Sequence, residues 1–130
     1  VHPNICNGGA GGPMYLEWDD TNVDTSYFLW SFIVPADYVS GGSIQARVRK
    51  DTEVATNLEN LSCMISVNGA AYGSESTVAT TGTASQLVTV THAGTWAASV
   101  SITLACRQGN GSADDRLFVD SIGATYTANR

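Results

Sequence analysis

The sequence predicts an all-β fold: a two-sheet antiparallel sandwich of about eight strands with jelly-roll-like connections. Three observations predict it. Apolar residues recur at every second position in several short runs, which is the period of a strand with one face buried. Glycine, proline and Asn-Gly signals punctuate the chain between those runs. No stretch carries apolar residues at helical spacing over three turns.

The elements follow in order. Residues 1–12, VHPNICNGGAGG, hold two glycine pairs and show no periodicity, so they read as a flexible N-terminal arm. Residues 13–130 then read as a single β-sandwich domain, a size that suits one core. Tyr15-Leu16-Glu17-Trp18 is a short strand, followed by the turn-rich Asp19-Asp20-Thr21-Asn22. Residues 26–34 form a long strand with Phe28, Trp30, Phe32 and Val34 on one face. Leu29, Ser31 and Ile33 lie on the other, and because both faces are largely apolar the strand is expected at the centre of its sheet. Pro35 stops it, and a turn is expected at Ser40-Gly41-Gly42. Residues 43–50 alternate, with Ile44, Ala46 and Val48 inward and Gln45, Arg47 and Arg49 outward. Residues 51–60 read as a polar loop. Leu61, Cys63, Ile65 and Val67 mark the next inward face, and Asn68-Gly69 is a strong hairpin signal. Residues 72–85 are a weak strand or a long loop. Leu87 to Thr91, residues 98–107 and residues 117–127 complete the set. Val100, Ile102, Leu104 and Cys106 are inward in the second of these, and Ile122, Ala124 and Tyr126 share a face in the third.

Composition narrows the partners. The net charge is −6, from 12 acidic and 6 basic residues, and Lys50 is the sole lysine. Phosphate backbones are held by clustered Lys and Arg, so nucleic acid is not expected as a partner, nor is an anionic membrane. Charged residues make up only 14% of a chain rich in Ser, Thr and Gly, a hydroxyl-covered surface of the kind found on extracellular or assembled proteins.

The two histidines, His2 and His92, match no catalytic or zinc-binding motif, so no catalytic residue and no cofactor are expected. Asp19, Asp20 and Asp24 in one loop, and Asp114, Asp115 and Asp120 near another, are oxygen donors of the type calcium takes; the same residues are also ordinary turn formers. Of these, Asp19, Asp20 and Asp24 are the calcium candidates, though no metal is expected. Arg47, Arg49 and Lys50 form a basic strip that could face an acidic partner, or simply a solvated sheet face. Cys63 and Cys106 share the inward register and form either a disulfide or two buried thiols. Cys6 lies in the arm. Asn60-Leu61-Ser62 and Asn110-Gly111-Ser112 match the glycosylation sequon. Trp18, Trp30, Trp96, Tyr15, Tyr38 and Tyr72 could supply a stacking platform for sugars, although Trp30 reads as core.

The run from Tyr27 to Arg49, FLWSFIVP then ADYVSGG then SIQARVR, is the most distinctive part of the chain. With Pro35, Asp37, Tyr38, Gly41 and Gly42, it resembles the small jelly-roll structural proteins of tailed bacteriophages, which serve as capsid decoration (cement) proteins or as tail and fibre domains. The likeness covers residues 26–50 and, more loosely, 98–127. It implies a non-enzymatic protein of the virion surface, on an extracellular particle, binding a repeating capsid lattice. It also implies a trimer; independently, the glycine-rich composition of the arm leads to the expectation that residues 1–12 pair with a neighbouring subunit's sheet edge and join a homo-oligomer. The alternative function from a different class is a carbohydrate-binding module or fibre-tip adhesion domain.

Overall fold

The structure, a computed structural model, describes residues 4–7, 14–18, 27–50, 59–80, 84–90, 96–110 and 116–129. Among them are nine strands: β1 (Asn4–Asn7), β2 (Met14–Trp18), β3 (Phe28–Ile33), β4 (Tyr38–Lys50), β5 (Glu59–Val67), β6 (Ser76–Thr80), β7 (Gln86–Val90), β8 (Ser101–Asn110) and β9 (Leu117–Ala128). They form a five-stranded sheet, order β1-β2-β9-β4-β7, and a four-stranded sheet, order β3-β8-β5-β6, with antiparallel pairing throughout. The two-sheet, all-β class read from the sequence is the class observed.

The core lies between the sheets and is made by alternation. Ile44, Ala46 and Val48 of β4 pair with Ala124, Ile122 and Val119 of β9 and face Leu61, Ile65, Ile102 and Leu104 of the other sheet. Each such fully buried aliphatic side chain stabilises the fold by about 1.5–3 kcal/mol relative to its exposed state. Cys63 and Cys106 stand opposite each other on β5 and β8 and are disulfide-bonded within this core.

One end of the sandwich is closed by Trp96, on the connection from β7 to β8. Its ring is 5.3 Å from Phe32, which in turn lies 4.9 Å from Trp30, so it packs on the four-stranded sheet. The opposite face of the contact is Gly42 of β4. There φ is +140°, and a Cβ would lie 2.5–2.9 Å from the Trp96 ring. Only glycine leaves room for the indole to touch both sheets.

Three expectations are corrected. Among the described residues the strand over residues 28–33 is an edge strand, not a central one, since it pairs there with β8 alone. Its second apolar face, Leu29 and Ile33, is open to solvent, and period-2 alternation cannot distinguish an apolar outer face from a buried one. Gly41 and Gly42 do not form a turn. They lie within β4, where pairing with β9 slips between Tyr38 and Ser43, so they mark irregularities in a continuous strand. The turn sits earlier, closed by the bond from Tyr38 N–H to the Pro35 carbonyl at 3.1 Å. Finally, Asn4–Asn7, part of the segment read as a free arm, is a strand bonded to β2 of the same chain. Main-chain pairing needs no alternating apolar pattern, so such a strand leaves no period-2 signal to read. The rest of residues 1–12, Cys6's side chain and His92 lie outside the described residues.

Asn68 and Gly69, with φ of 52° and 72°, form the expected left-handed turn, bonded from Ala70 N–H to the Val67 carbonyl at 3.0 Å. The Asn68 side-chain carbonyl also accepts from the Ser101 amide at 2.9 Å, tying this turn to β8.

Two outcomes test this packing. Gly42→Ala should cost about 2 kcal/mol or more in urea unfolding, through the clash with Trp96 and the backbone strain. Gly123→Ala, with nothing within 4 Å of the added carbon, serves as the control and should stay within about 0.5 kcal/mol. Replacing both Cys63 and Cys106 by Ala opens a cross-link spanning 43 residues and should lower stability by about 2–4 kcal/mol. An unchanged unfolding midpoint would show that the bridge constrains nothing.

Candidate functional site

With the inward faces committed to the core, chemistry is left to the outward faces. On the four-stranded sheet the outward register is set by the ladder. Leu29 pairs with Ala105, Ser31 with Thr103, Met64 with Ala105 and Ser62 with Arg107. The inward neighbours of these residues, Trp30, Leu104 and Ile65, fill the core.

This outer face combines three kinds of group. Arg107 spans to Glu75 in a two-pronged ion pair, Nε to Oε1 at 2.7 Å and Nη2 to Oε2 at 2.9 Å. The bond to the Glu75 carboxylate raises Arg107 further above its already high pKa, against the opposing effect of desolvation. The guanidinium therefore stays charged, planar and fixed in direction. Beside it lies Tyr27, exposed, with its ring centroid 5.6 Å from the Arg107 Cζ. Two hydroxyl pairs complete the surface, Ser31 with Thr103 at 3.0 Å and Ser62 with Thr77 at 2.9 Å. Ala105 and Ser62 are buried even though they point outward, so they form a low floor beneath larger neighbours. An aromatic face, a fixed planar donor fork and a field of hydroxyls are suited to a ligand with flat C–H faces and many hydroxyl edges.

The outer face of the five-stranded sheet is built differently. Arg49 lies 4.2 Å over the Phe118 ring and its Nε is 3.2 Å from both Asp120 carboxylate oxygens. Arg47 is exposed on the same face. Lys50 is not part of a basic strip: it is 1% exposed, because it continues the inward phase of Ile44, Ala46 and Val48. The expected partner-facing trio is thus reduced to one exposed cation, Arg47, beside one arginine engaged by Asp120 and Phe118.

Of the other residues singled out, Asp19, Asp20, Asp24, Asp114, Asp115 and His2 lie outside the described residues, as do the side chains of Tyr15 and Trp18. Asp120 is the partner of Arg49. Among the described residues, no group of three or more His, Cys, Asp or Glu could hold a metal ion. Trp96 belongs to the core and Trp30 packs half-buried against it, so neither of these two stands on an exposed platform. Tyr38 donates to the Gly41 carbonyl at 2.6 Å and Tyr126 to Asp37 at 3.1 Å. The motif Pro35, Asp37, Tyr38, Gly41, Gly42 therefore holds the entry to β4 and its closure on β9; it builds fold. Ser62 of the first sequon is buried and bonded to Thr77 within the ladder.

Sequence reasoning missed Tyr27, Arg107 and Glu75. The signal was present for two of them: Arg107 follows Cys106 in the outward phase, and Tyr27 precedes Phe28 in the same phase. Glu75 lies in a Ser- and Gly-rich stretch with no period to assign it.

No protein-family model matches this chain, and no curated protein sequence does. Solved structures share its fold. TmCBM61 in complex with beta-1,4-galactotriose superposes with a TM-score of 0.55 at 13% identity, covering 93% of this chain and 75% of that one. A CBM4 structure gives 0.56 at 16%, covering 93% and 87%. A family 35 carbohydrate binding module from an environmental isolate gives 0.52 at 18%, covering 98% and 88%. The likeness is one of fold: this chain has the jelly-roll-like sandwich found in carbohydrate-binding modules.

The Arg107–Glu75 pair sits at the surface, with side chains 18% and 27% exposed, so its net worth to the fold is small. The double variant Glu75→Gln, Arg107→Met should change unfolding free energy by no more than about 1 kcal/mol. A larger loss would make the pair a structural element and not a surface available to a ligand.

Proposed function

We propose that this chain is a non-catalytic glycan-binding module, with the outer face of β3-β8-β5-β6 as its binding surface. The observation that carries the reading is the juxtaposition of the exposed Tyr27 ring, the Arg107–Glu75 fork and the hydroxyl pairs on one face. A sugar ring can stack its C–H face on tyrosine while its hydroxyls exchange bonds with a guanidinium and a carboxylate held rigid in advance. The three structural neighbours support the class, and one of them was solved holding beta-1,4-galactotriose.

Because Glu75 neutralises Arg107, the face is suited to uncharged sugars more than to acidic ones. The same module could stand alone, at a fibre tip or within a longer protein. A capsid-decorating role, implied by the resemblance of residues 26–50 to phage proteins, gains no support from the neighbours, which are carbohydrate-binding modules.

A glycan array that includes β-1,4-linked galactose oligomers is the direct test. A specific neutral glycan should bind, and Tyr27→Ala should weaken it more than about tenfold, the loss of roughly 1.4 kcal/mol of stacking. Arg107→Met should weaken it similarly. Binding untouched by either change places the site elsewhere. Absence of any glycan hit, together with binding to undecorated capsids, would overturn the reading in favour of the virion role.

A further inference from the structure

Among the described residues the four-stranded sheet ends on β3, and that edge has properties that sugar binding does not use. Leu29 and Ile33 are 58% and 69% exposed, the most exposed large hydrophobic side chains among the described residues. They stand symmetrically about Ser31. From Tyr27 to Val34 the strand has no charged residue and no proline, the devices that ordinarily keep an edge from pairing with another chain.

The backbone geometry identifies which groups face outward. Val34 donates its N–H to the Val100 carbonyl at 2.9 Å and accepts from the Ser99 amide at 2.8 Å. In an antiparallel ladder alternate residues direct both main-chain groups to the same neighbour. Phe28, Trp30 and Phe32 therefore share Val34's direction, toward β8. The N–H and C=O groups of Leu29, Ser31 and Ile33 point to the opposite side, and among the described residues no strand pairs there.

We infer that two copies of this chain associate through β3, antiparallel about a two-fold axis at Ser31. Ser31 would exchange both main-chain bonds with the partner's Ser31. Leu29 would do so with the partner's Ile33, and Ile33 with the partner's Leu29. On the outer face the same register sets each Leu29 side chain against the partner's Ile33, covering the apolar surface that the monomer leaves wet. The edge is self-complementary, as an isologous contact must be. Pro35 bounds the seam, because a proline in the outward phase has no N–H to give. No charge lies along the seam, so the net charge of −6 stays off it. The two four-stranded sheets would join into one of eight strands, carrying two copies of the outer face side by side. The inference does not depend on that face binding sugar, and its test involves no glycan.

The oligomeric state is measured by light scattering and sedimentation over a wide concentration range. The intact chain should show twice the mass of one chain. Ile33→Lys should return it to the mass of one chain, with an unchanged far-ultraviolet circular dichroism spectrum. In a Cys6→Ser background, which removes the cysteine outside the Cys63–Cys106 bridge, Ser31→Cys should oxidise to a single covalent dimer. A chain that stays single at all concentrations overturns the inference. So does a trimer, which a self-pairing edge cannot build. A dimer that survives Ile33→Lys, or a Ser31→Cys variant that does not cross-link, overturns it as well. Should Ile33→Lys fail to fold, the cross-link decides.

Discussion

The pairing of β4 with β9 organises the five-stranded sheet: β2 and β1 attach through β9, and β7 attaches through β4. The two strands are also the longest, 13 and 12 residues, and their register is not uniform. Between Arg47 and Val48 the partner skips from Ser121 to Val119, leaving Asp120 as an extra residue. That bulge reverses the phase of β9. Leu117 and Val119 are inward before it, and Ile122, Ala124 and Tyr126 share the inward phase after it. Without the extra residue one half of β9 would present its apolar side chains to water. The same irregularity turns Asp120 outward, beside Arg49, so a device needed for core register also places an ion pair on the surface.

One contact then fixes the distance between the sheets, and another braces one of them. The Trp96 ring lies on Gly42 of one sheet and on Phe32 of the other, and its fit depends on the missing Cβ. The disulfide between Cys63 and Cys106 acts within the four-stranded sheet, across the β5–β8 ladder. With the core residues turned inward, the functional burden falls on the outward faces. Those faces differ in kind. One carries Arg47, the Arg49–Asp120 pair and exposed Leu87; the other carries Tyr27, hydroxyl pairs and a guanidinium held by Glu75. The second has the mixture of aromatic and polar groups that a sugar needs, and β3 at its edge carries neither charge nor proline.

Low charge and abundant hydroxyls take on a structural meaning in this setting. Ser31, Thr103, Ser62 and Thr77 bond to one another across strands, so the outer face of the four-stranded sheet is polar without being charged. Cross-strand hydroxyl pairs stabilise a sheet by a few tenths of a kcal/mol to about 1 kcal/mol each and remain able to exchange partners with a ligand.

The sequence by itself determined the class, most of the strands and most of the inward residues. Alternation is a local property: Ile44, Ala46 and Val48, or Leu61, Cys63 and Ile65, reveal their shared face to anyone who counts by twos. Asn68-Gly69 likewise marks its turn, because the positive φ it needs is a property of two residues. Tertiary structure decided what alternation cannot encode. Strand order placed the apolar β3 at an edge, with Leu29 and Ile33 outside. Lys50 is the converse case, in which alternation overrides residue type: its phase is that of Ile44, Ala46 and Val48, and it is buried where composition alone would put a lysine on the surface. The Tyr27, Arg107 and Glu75 group came together from three separate segments, because residues far apart in the chain meet only when the ladder fixes which strand lies beside which.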